Sequence, residues 1–466
     1  MFEKFEIKGL WWLPENPDKK LTGTLSYDPE DGAVLELVGS SFETPIEIFN
    51  AKEYDIINGQ SSDEITLYKC YSQSMNVQGI MSSKYFANFV FKGKIFNKVS
   101  DIKFRYAVVG YNYLESWMAR SSFLVTPNNE NLTVSTMSQK PIVVTIDNNL
   151  RISLTSHVLN RWKVGTWKDG TTITLEQKAL FEIETRIETH FEDILEIAYK
   201  LAQFLTLAIN EPIQILAFTA KIDPDNQDER TGIDIFLTIR RELIKEDTLL
   251  HPLQMPLSLD SISGRFDEIL RNWFEKCVLL RPIFNLYFAL SYNDKMYREN
   301  IFLNLISCLE SYHRRRLGGV YLSEKNYGEF KKKIIESLPV IDDEKYPDFK
   351  TKFIAGLEYG NEISLRKRLS SILLDNTSII SKYIEYQDQF IEKAVATRNY
   401  LTHYDKKLEK NALSDIREFY DFNLKLKMLV EICIFKELGL NNDEIEKIFS
   451  RNRHYSFMLT QMAKKV

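Results

Sequence analysis

Hydrophobic periodicity changes along this 466-residue chain, and the change constrains the fold more than any other feature. Over the first ~180 residues apolar and aromatic residues alternate with polar ones, the two-residue period of a strand with one buried face. The alternation is clearest at 5–12, 65–71, 85–91, 102–109, 142–146, 151–154 and 172–175. Turn-forming clusters separate these runs at 29–32, 58–59, 128–131, 147–149 and 168–170. Many short strands in succession predict a sandwich or a barrel-like sheet. From about Ser261 onward apolar residues recur every three to four positions, as on helices that bury one stripe.

The stretch between the two patterns is mixed. Residues 191–209 (FEDILEIAYKLAQFLTLAI) predict a helix that Glu211-Pro212 stops, and 213–220 and 233–240 predict two further strands. The expected class is therefore α+β. A β-rich region spans 1–180, an α/β to helical connecting region packed on it spans 181–290, and an all-α bundle spans 291–466. In the last part, spacing predicts helices at 264–277, 282–291, 298–317, 324–337, 362–374, 386–403, 413–438 and 442–449. Ser323 suits an N-cap, and Gly439 suits the position just past a helix end.

Composition narrows the function classes. Hydrophobic residues make up 44% and charged residues 27%, as in a folded globular chain. No apolar run approaches the ~20 residues of a membrane-spanning helix. The opening MFEKFEIKGLWWLPE mixes charged and apolar residues, unlike a secretory leader, so a cytoplasmic protein without a membrane partner is expected. Cys70, Cys277, Cys308 and Cys433 have no metal-ligand spacing, and the six histidines are equally dispersed. No metal and no cofactor is expected. No phosphate-binding glycine loop, dinucleotide fingerprint, zinc-protease motif or serine-hydrolase elbow is present. Net charge is −5, which disfavours non-specific coating of nucleic acid. Residues 297–466 differ, with 29 Lys+Arg against 25 Asp+Glu.

The most informative stretch is FIEKAVATRNYLTHYDKK at 390–407. Inside it, Arg398-Asn399-Tyr400-Leu401-Thr402-His403 places an arginine and a histidine five residues apart, at the end of a predicted helix and before a charged loop. That trio suits RNA cleavage without metal, in which the ribose 2′-OH attacks the adjacent phosphorus. A histidine titrating near neutrality can take the 2′ proton or protonate the departing 5′ oxygen. A guanidinium can stabilise the charge gathering on the phosphorane, and an amide such as Asn399 can orient a phosphate oxygen or the 2′-OH. The products would carry a 2′,3′-cyclic phosphate and a 5′-OH, and DNA would not be cut. The same residues also read as a solvated helix cap and a surface ion-pair arginine.

Spacing adds a condition. Residues five apart on a regular helix lie about 140° apart around its axis. Arg398 and His403 converge only if the helix tightens or ends near Thr402, or if a second copy completes the site. The run His313-Arg314-Arg315-Arg316 is a second basic candidate, readable as a solvated helix end or as an RNA-backbone contact. The strand aromatics Trp11, Trp12, Phe104, Tyr106, Tyr111, Tyr113 and Trp117 read as core or as a stacking surface. Trp162, Lys163, Trp167 and Lys168 form a basic aromatic patch by sequence.

The motif, with its polar residue after the arginine and its place in a C-terminal helical domain, resembles the signature of the HEPN superfamily, whose ribonucleases carry R-x4–6-H. A long β-rich region followed by such a domain resembles the ApeA family of bacterial abortive-infection proteins. Residues 300–316 (NIFLNLISCLESYHRRR), with Leu309-Glu310-Ser311 at the centre, resemble that family's first HEPN helix. The resemblance implies a metal-independent RNA endonuclease of an anti-phage system. It implies Arg398, Asn399 and His403 as the catalytic set, with Glu310, Arg314, Arg315 and Tyr404 near the substrate. Glu310 reads either as a buried ion-pair partner or as an orienter of the catalytic arginine. The resemblance also implies RNA as partner and a homodimer, or a larger even-numbered oligomer, pairing two motifs in one cleft. The apolar residues Ile416, Phe419, Phe422, Leu426, Leu429 and Ile432 are a candidate surplus for that pairing. A phage-derived trigger would act on the N-terminal region. The alternative is a non-catalytic RNA- or nucleotide-binding HEPN module with a partner-binding β domain, and a purely structural interaction protein is a third reading.

Overall fold

A computed structural model of the chain describes residues 2–39, 41–42, 52–76, 82–128, 131–163, 172–224, 232–238, 250–293, 295–339, 347–452 and 455. Two compact units emerge, Met1–Phe274 and Glu275–Val466.

The first unit is built on a closed ring. Strands β1 (Phe5–Trp12), β2 (Leu21–Asp28), β3 (Gly32–Val38), β4 (Glu53–Gln60), β5 (Glu64–Asn76) and β6 (Ser82–Lys92) run β6-β3-β2-β1-β4-β5, all antiparallel. β5 then pairs back onto β6 and closes a six-stranded barrel. Of the two expected architectures, this is the barrel. The alternation in sequence is the alternation of burial. On β2, Leu21, Gly23, Leu25 and Tyr27 are buried while Thr22 and Ser26 are exposed.

Trp11 is fully buried, and its indole N–H donates to the Gly23 carbonyl at 3.1 Å. Its register partner on β4 is Gly59, where any Cβ would run into the indole. This corrects the turn expected at 58–59, which is instead the interior of a strand. Gly59 is there because the neighbouring strand's tryptophan occupies the space of its missing side chain. Asn58, also fully buried, accepts from Thr66 Oγ1 at 3.1 Å and donates to Asn97 Oδ1 at 3.1 Å.

The sheet continues beyond the ring through β7 (Lys103–Tyr111), β10 (Ile142–Thr145), β11 (Leu150–Lys163), β12 (Thr172–His190), β13 (Ile215–Lys221) and β14 (Ile233–Leu237). Strands β8 (Phe123–Asn128) and β9 (Asn131–Thr136) form a separate hairpin. On one edge β6 pairs with β3 over Ser82–Ala87 and then with β14 over Phe89–Lys92. From β14 the order runs β13, β7, β12, β11, β10. The unit also holds α1 (Leu114–Met118), α2 (Phe191–Ile209) and α3 (Leu259–Ile262), and the division between units falls within α4 (Phe266–Leu279).

Helix α2 packs against β7 and β12. Its first residue, Phe191, is fully buried among Tyr68, Phe89 and Phe91 of the ring and Phe104 and Phe218 of the extension, at centroid separations of 4.9–6.4 Å. Truncating such a residue to alanine costs about 3–5 kcal/mol. Phe104 and Tyr111 are likewise buried, as is Trp117 on α1, so these aromatics are largely core.

The second unit is helical: α5 (Arg281–Ser291), α6 (Arg298–Arg316), α7 (Glu324–Glu336), α8 (Phe349–Leu357), α9 (Leu365–Asp375), α10 (Thr377–Ile380), α11 (Gln387–His403), α12 (Lys406–Glu409), α13 (Ile416–Glu437) and α14 (Asn442–Arg451). Helix α6 packs on α5 and α13, and α9 packs on α6 and α11. Phe422 of α13 stacks on Phe390 of α11 at 4.3 Å, and both Phe419 and Phe422 lie against Phe302 of α6. The apolar residues proposed as a surplus for a second copy are therefore core. Phe419, Phe422, Leu426, Leu429 and Ile432 are buried, and only Ile416 is exposed.

Ends are chemically specified. Ser323 caps α7 by accepting from Asn326 N–H, and Ser364 moves the start of α9 to Leu365 by accepting from Lys367 N–H. After α13, Gly439 adopts φ +91°, its N–H bonds the Lys436 carbonyl, and Leu440 N–H bonds the Phe435 carbonyl. That double closure needs the left-handed backbone glycine tolerates. Deep in the unit, the Glu431 carboxylate, 1% exposed, accepts from the Tyr287 and Tyr455 hydroxyls at 2.6 Å each, with Lys427 Nζ at 3.5 Å. Burial, then the Glu431 charge, raises both phenols far above their usual range and keeps them protonated as donors.

Candidate functional site

Helix α11 (QDQFIEKAVATRNYLTH) buries Phe390, Ile391, Ala394, Thr397 and Leu401, a stripe at helical spacing. Thr397 is the anchor. Its hydroxyl donates to the Lys393 carbonyl at 2.8 Å and accepts from Leu413 N–H at 3.0 Å, pinning the far end of the following loop to the helix. The near end is fixed by Tyr404, whose φ of +49° terminates α11 and whose N–H bonds the Tyr400 carbonyl at 2.6 Å. Asp405 then caps α12 by accepting from Lys407 N–H at 2.9 Å.

The motif sits on this braced end. Arg398 and Asn399 are half-buried, and His403 and Tyr404 are exposed. The Arg398 guanidinium donates through Nη1 to Asn399 Oδ1 at 3.3 Å, so the amide after the arginine holds it. Thr402 Oγ1 donates to the Arg398 carbonyl at 2.7 Å, an internal helix bond. The helix stays α-helical through His403, with no tightening before it. Arg398 and His403 thus remain on different faces, about 140° apart.

The arginines of the basic run ending α6 are exposed and have partners inside the unit. Arg314 makes two bonds to Glu362, at 3.2 and 2.8 Å. Arg315 donates to the Leu279 carbonyl at 2.9 Å, and Arg316 to Glu437 at 2.5 Å. His313 is buried, with Nδ1 3.0 Å from the Gly318 carbonyl. Burial first, then the Arg368 charge, lowers its pKa. The half-buried Glu310 acts electrostatically on Arg368 of α9.

Sequence reading did not single out Arg368, because nothing local distinguishes it. It is 1% exposed, donates to the Ile363 and Gly319 carbonyls at 2.8 and 3.3 Å, and has no partner for Nη1 among the described residues. Also missed were Tyr297, Glu299 and Asn300, at the start of α6. With Tyr400, Tyr404 and Glu409 they line an open groove of about 490 Å³ beside the motif. Roughly 100 residues of chain separate its two walls, which hides it from any local pattern.

Of the sequence-defined basic aromatic patch, Trp167 and Lys168 lie outside the described residues, as do the side chains of Trp162 and Lys163. Among the described residues, no three His, Cys, Asp or Glu groups gather as a metal site. No described helix is long and apolar enough to cross a membrane. The four cysteines are free and buried, and burial pushes the thiols of Cys70, Cys308 and Cys433 up, out of reactive range.

No curated protein and no solved structure matches the chain significantly. Two protein families do. ApeA N-terminal domain 1 matches residues 6–273, ending one residue short of the division between the two units. Apea-like HEPN matches residues 303–444, from within α6 to the start of α14, and includes the R-x4-H motif. The match to residues 6–273 covers more than half of the sequence, and with the helical match behind it the chain belongs to the ApeA family, an ApeA N-terminal domain followed by an Apea-like HEPN domain.

Proposed function

We propose that the chain is a metal-independent RNA endonuclease of an anti-phage abortive-infection system, acting through Arg398, Asn399 and His403. The observation that carries the reading is the Asn399-held Arg398 on a braced helix end beside an exposed His403, within the HEPN match. HEPN domains as a family are associated with RNA cleavage, and the ApeA match supports the defence role. His403 exchanges protons with the 2′-OH or the leaving 5′ oxygen, and Arg398 stabilises the phosphorane charge. Products carry 2′,3′-cyclic phosphate and 5′-OH ends. The unbroken helix favours a composite site, because one copy presents its arginine and histidine on different faces. Two copies supply a histidine for each proton transfer. The β-rich unit then serves as the sensor for a phage-derived trigger.

The test is cleavage of end-labelled RNA in excess EDTA, alongside melting and sedimentation. Arg398→Ala and His403→Ala should remain folded and lose about 10²-fold or more in rate. Asn399→Ala should lose less, since the arginine remains. Sedimentation should show at least a dimer at micromolar concentration. Full activity of a folded His403→Ala protein refutes the assignment, and strict dependence on a divalent ion refutes the mechanism. RNA binding without cleavage would favour the non-catalytic module.

A further inference from the structure

We propose that the groove between the start of α6 and the end of α11 is a nucleobase subsite that selects guanine beside the scissile phosphate. The inference rests on the ribonuclease reading above and adds to it the base that is read.

The groove has the chemistry of a base pocket rather than a backbone channel. Its volume, about 490 Å³, falls among small-ligand sites. At its mouth Tyr297 and Tyr404 are 79% and 68% exposed, far more than rings with only a packing role. Tyr400 lies behind Tyr404, the two rings meeting edge to face at 5.6 Å. Buried Leu401, Leu413 and Phe419 form an apolar floor. Exposed aromatics above an apolar floor stack bases. Two carboxylates, Glu299 and Glu409, line the same groove. They repel phosphate, so the strand's backbone runs outside, where Lys406 and Lys407 of α12 are exposed.

Carboxylates accept hydrogen bonds and cannot donate them. A base that suits them presents adjacent donors and no acceptor between. Guanine does so with N1–H and the 2-amino group. Adenine offers an acceptor at N1, cytosine one at N3, and uracil flanks its single N3–H with two carbonyls. Asn300 lines the same groove, and a side-chain amide can donate to guanine O6. Partial burial first, then the charges of Glu409 and Tyr404, raise the Tyr400 phenol above its usual range, so it stays protonated in the groove.

The groove lies against the same turn of α11 as the motif. Around the helix, Tyr400 is about 60° from His403, and Leu401, which also lines the groove, is about 60° from Arg398. Tyr404 is presented by its left-handed backbone, which swings the ring out at the helix end.

The test uses the full chain in two arms. In the first, His403→Ala protein is titrated with fluorescent oligouridines carrying one central G, A or inosine. G should bind about 10-fold or more tighter than A, with inosine, which lacks the 2-amino donor, in between. Adding Glu299→Gln and Glu409→Gln together should abolish the difference. Tyr404→Gly should weaken all three without lowering the melting temperature, because glycine suits φ +49°. In the second arm, wild-type cuts are mapped on a mixed RNA and should cluster beside G. Equal binding of G, A and inosine overturns the proposal, as does a G preference that survives the double glutamine variant. Cleavage that needs His403 but ignores base identity removes the subsite and leaves the ribonuclease. Carboxylate-dependent G binding without any cleavage does the reverse.

Discussion

The buried Glu431 carboxylate should govern the stability of the helical unit, because it ties α5 and the chain beyond α14 to the C-terminal half of α13. Tyr455→Phe removes one 2.6 Å donor and leaves Tyr287 and Lys427 to satisfy the charge. A hydrogen bond to a charged group contributes about 1.5–3 kcal/mol, so a loss near 2 kcal/mol is expected. Tyr287→Phe should cost a similar amount. The double variant leaves the carboxylate with the ammonium at 3.5 Å, and its loss should exceed the sum of the singles. Urea unfolding followed by circular dichroism at 222 nm reads the helices. With a slope of about 2 kcal/mol per molar, each single variant should lower the midpoint by about 1 M. All six tryptophans precede residue 275, so tryptophan emission follows the β-rich unit separately. Midpoints at 222 nm within about 0.2 M of wild type for both singles would refute the claim that these bonds carry stability.

Two further outcomes follow from burial. His313 has a folded pKa below its unfolded value of about 6.5, so the unfolded chain binds the extra proton first. Its contribution is intact above that pH and falls as pH drops through it toward the folded value. The helical unit should melt lower at pH 5.5 than at pH 7, and His313→Gln should flatten that part of the profile. Gly59→Ala forces a methyl against the Trp11 indole and should destabilise the barrel by about 1–3 kcal/mol, read by tryptophan emission in urea.

The elements were legible wherever one local rule decided them. Strand β1 at Phe5–Trp12 and α11 ending at His403 follow from periodicity. Caps at Ser323 and Gly439 follow from residue chemistry. The Asn58-Gly59 pair misled because it has turn composition, while its real constraint is a tryptophan 48 positions away on the neighbouring strand. Strand β2 was passed over because Gly23 and Thr24 dilute its apolar pattern. Helix α8 was missed because it is short, buries no residue and lacks a capping side-chain bond. At the site, the motif was visible because its residues are adjacent. The groove beside it and the buried Arg368 depend on contacts between distant segments, which no period or spacing encodes. The same holds for Arg314 and Arg315, whose intramolecular partners Glu362 and Leu279 lie 48 and 36 residues away.

The double duty of β6 has a consequence for modularity. A six-stranded closed ring would ordinarily be a candidate for excision as a free-standing domain, a portable part. Here Phe89–Lys92 complete their ladder only with β14, more than 140 residues later, and Phe191 fills a hole lined by both ring and extension. A chain ending at Gly93 would present bare backbone on one strand and an empty aromatic slot. Recombination could therefore move the N-terminal unit between proteins only as a whole, and a single family match spans it from residue 6 to 273.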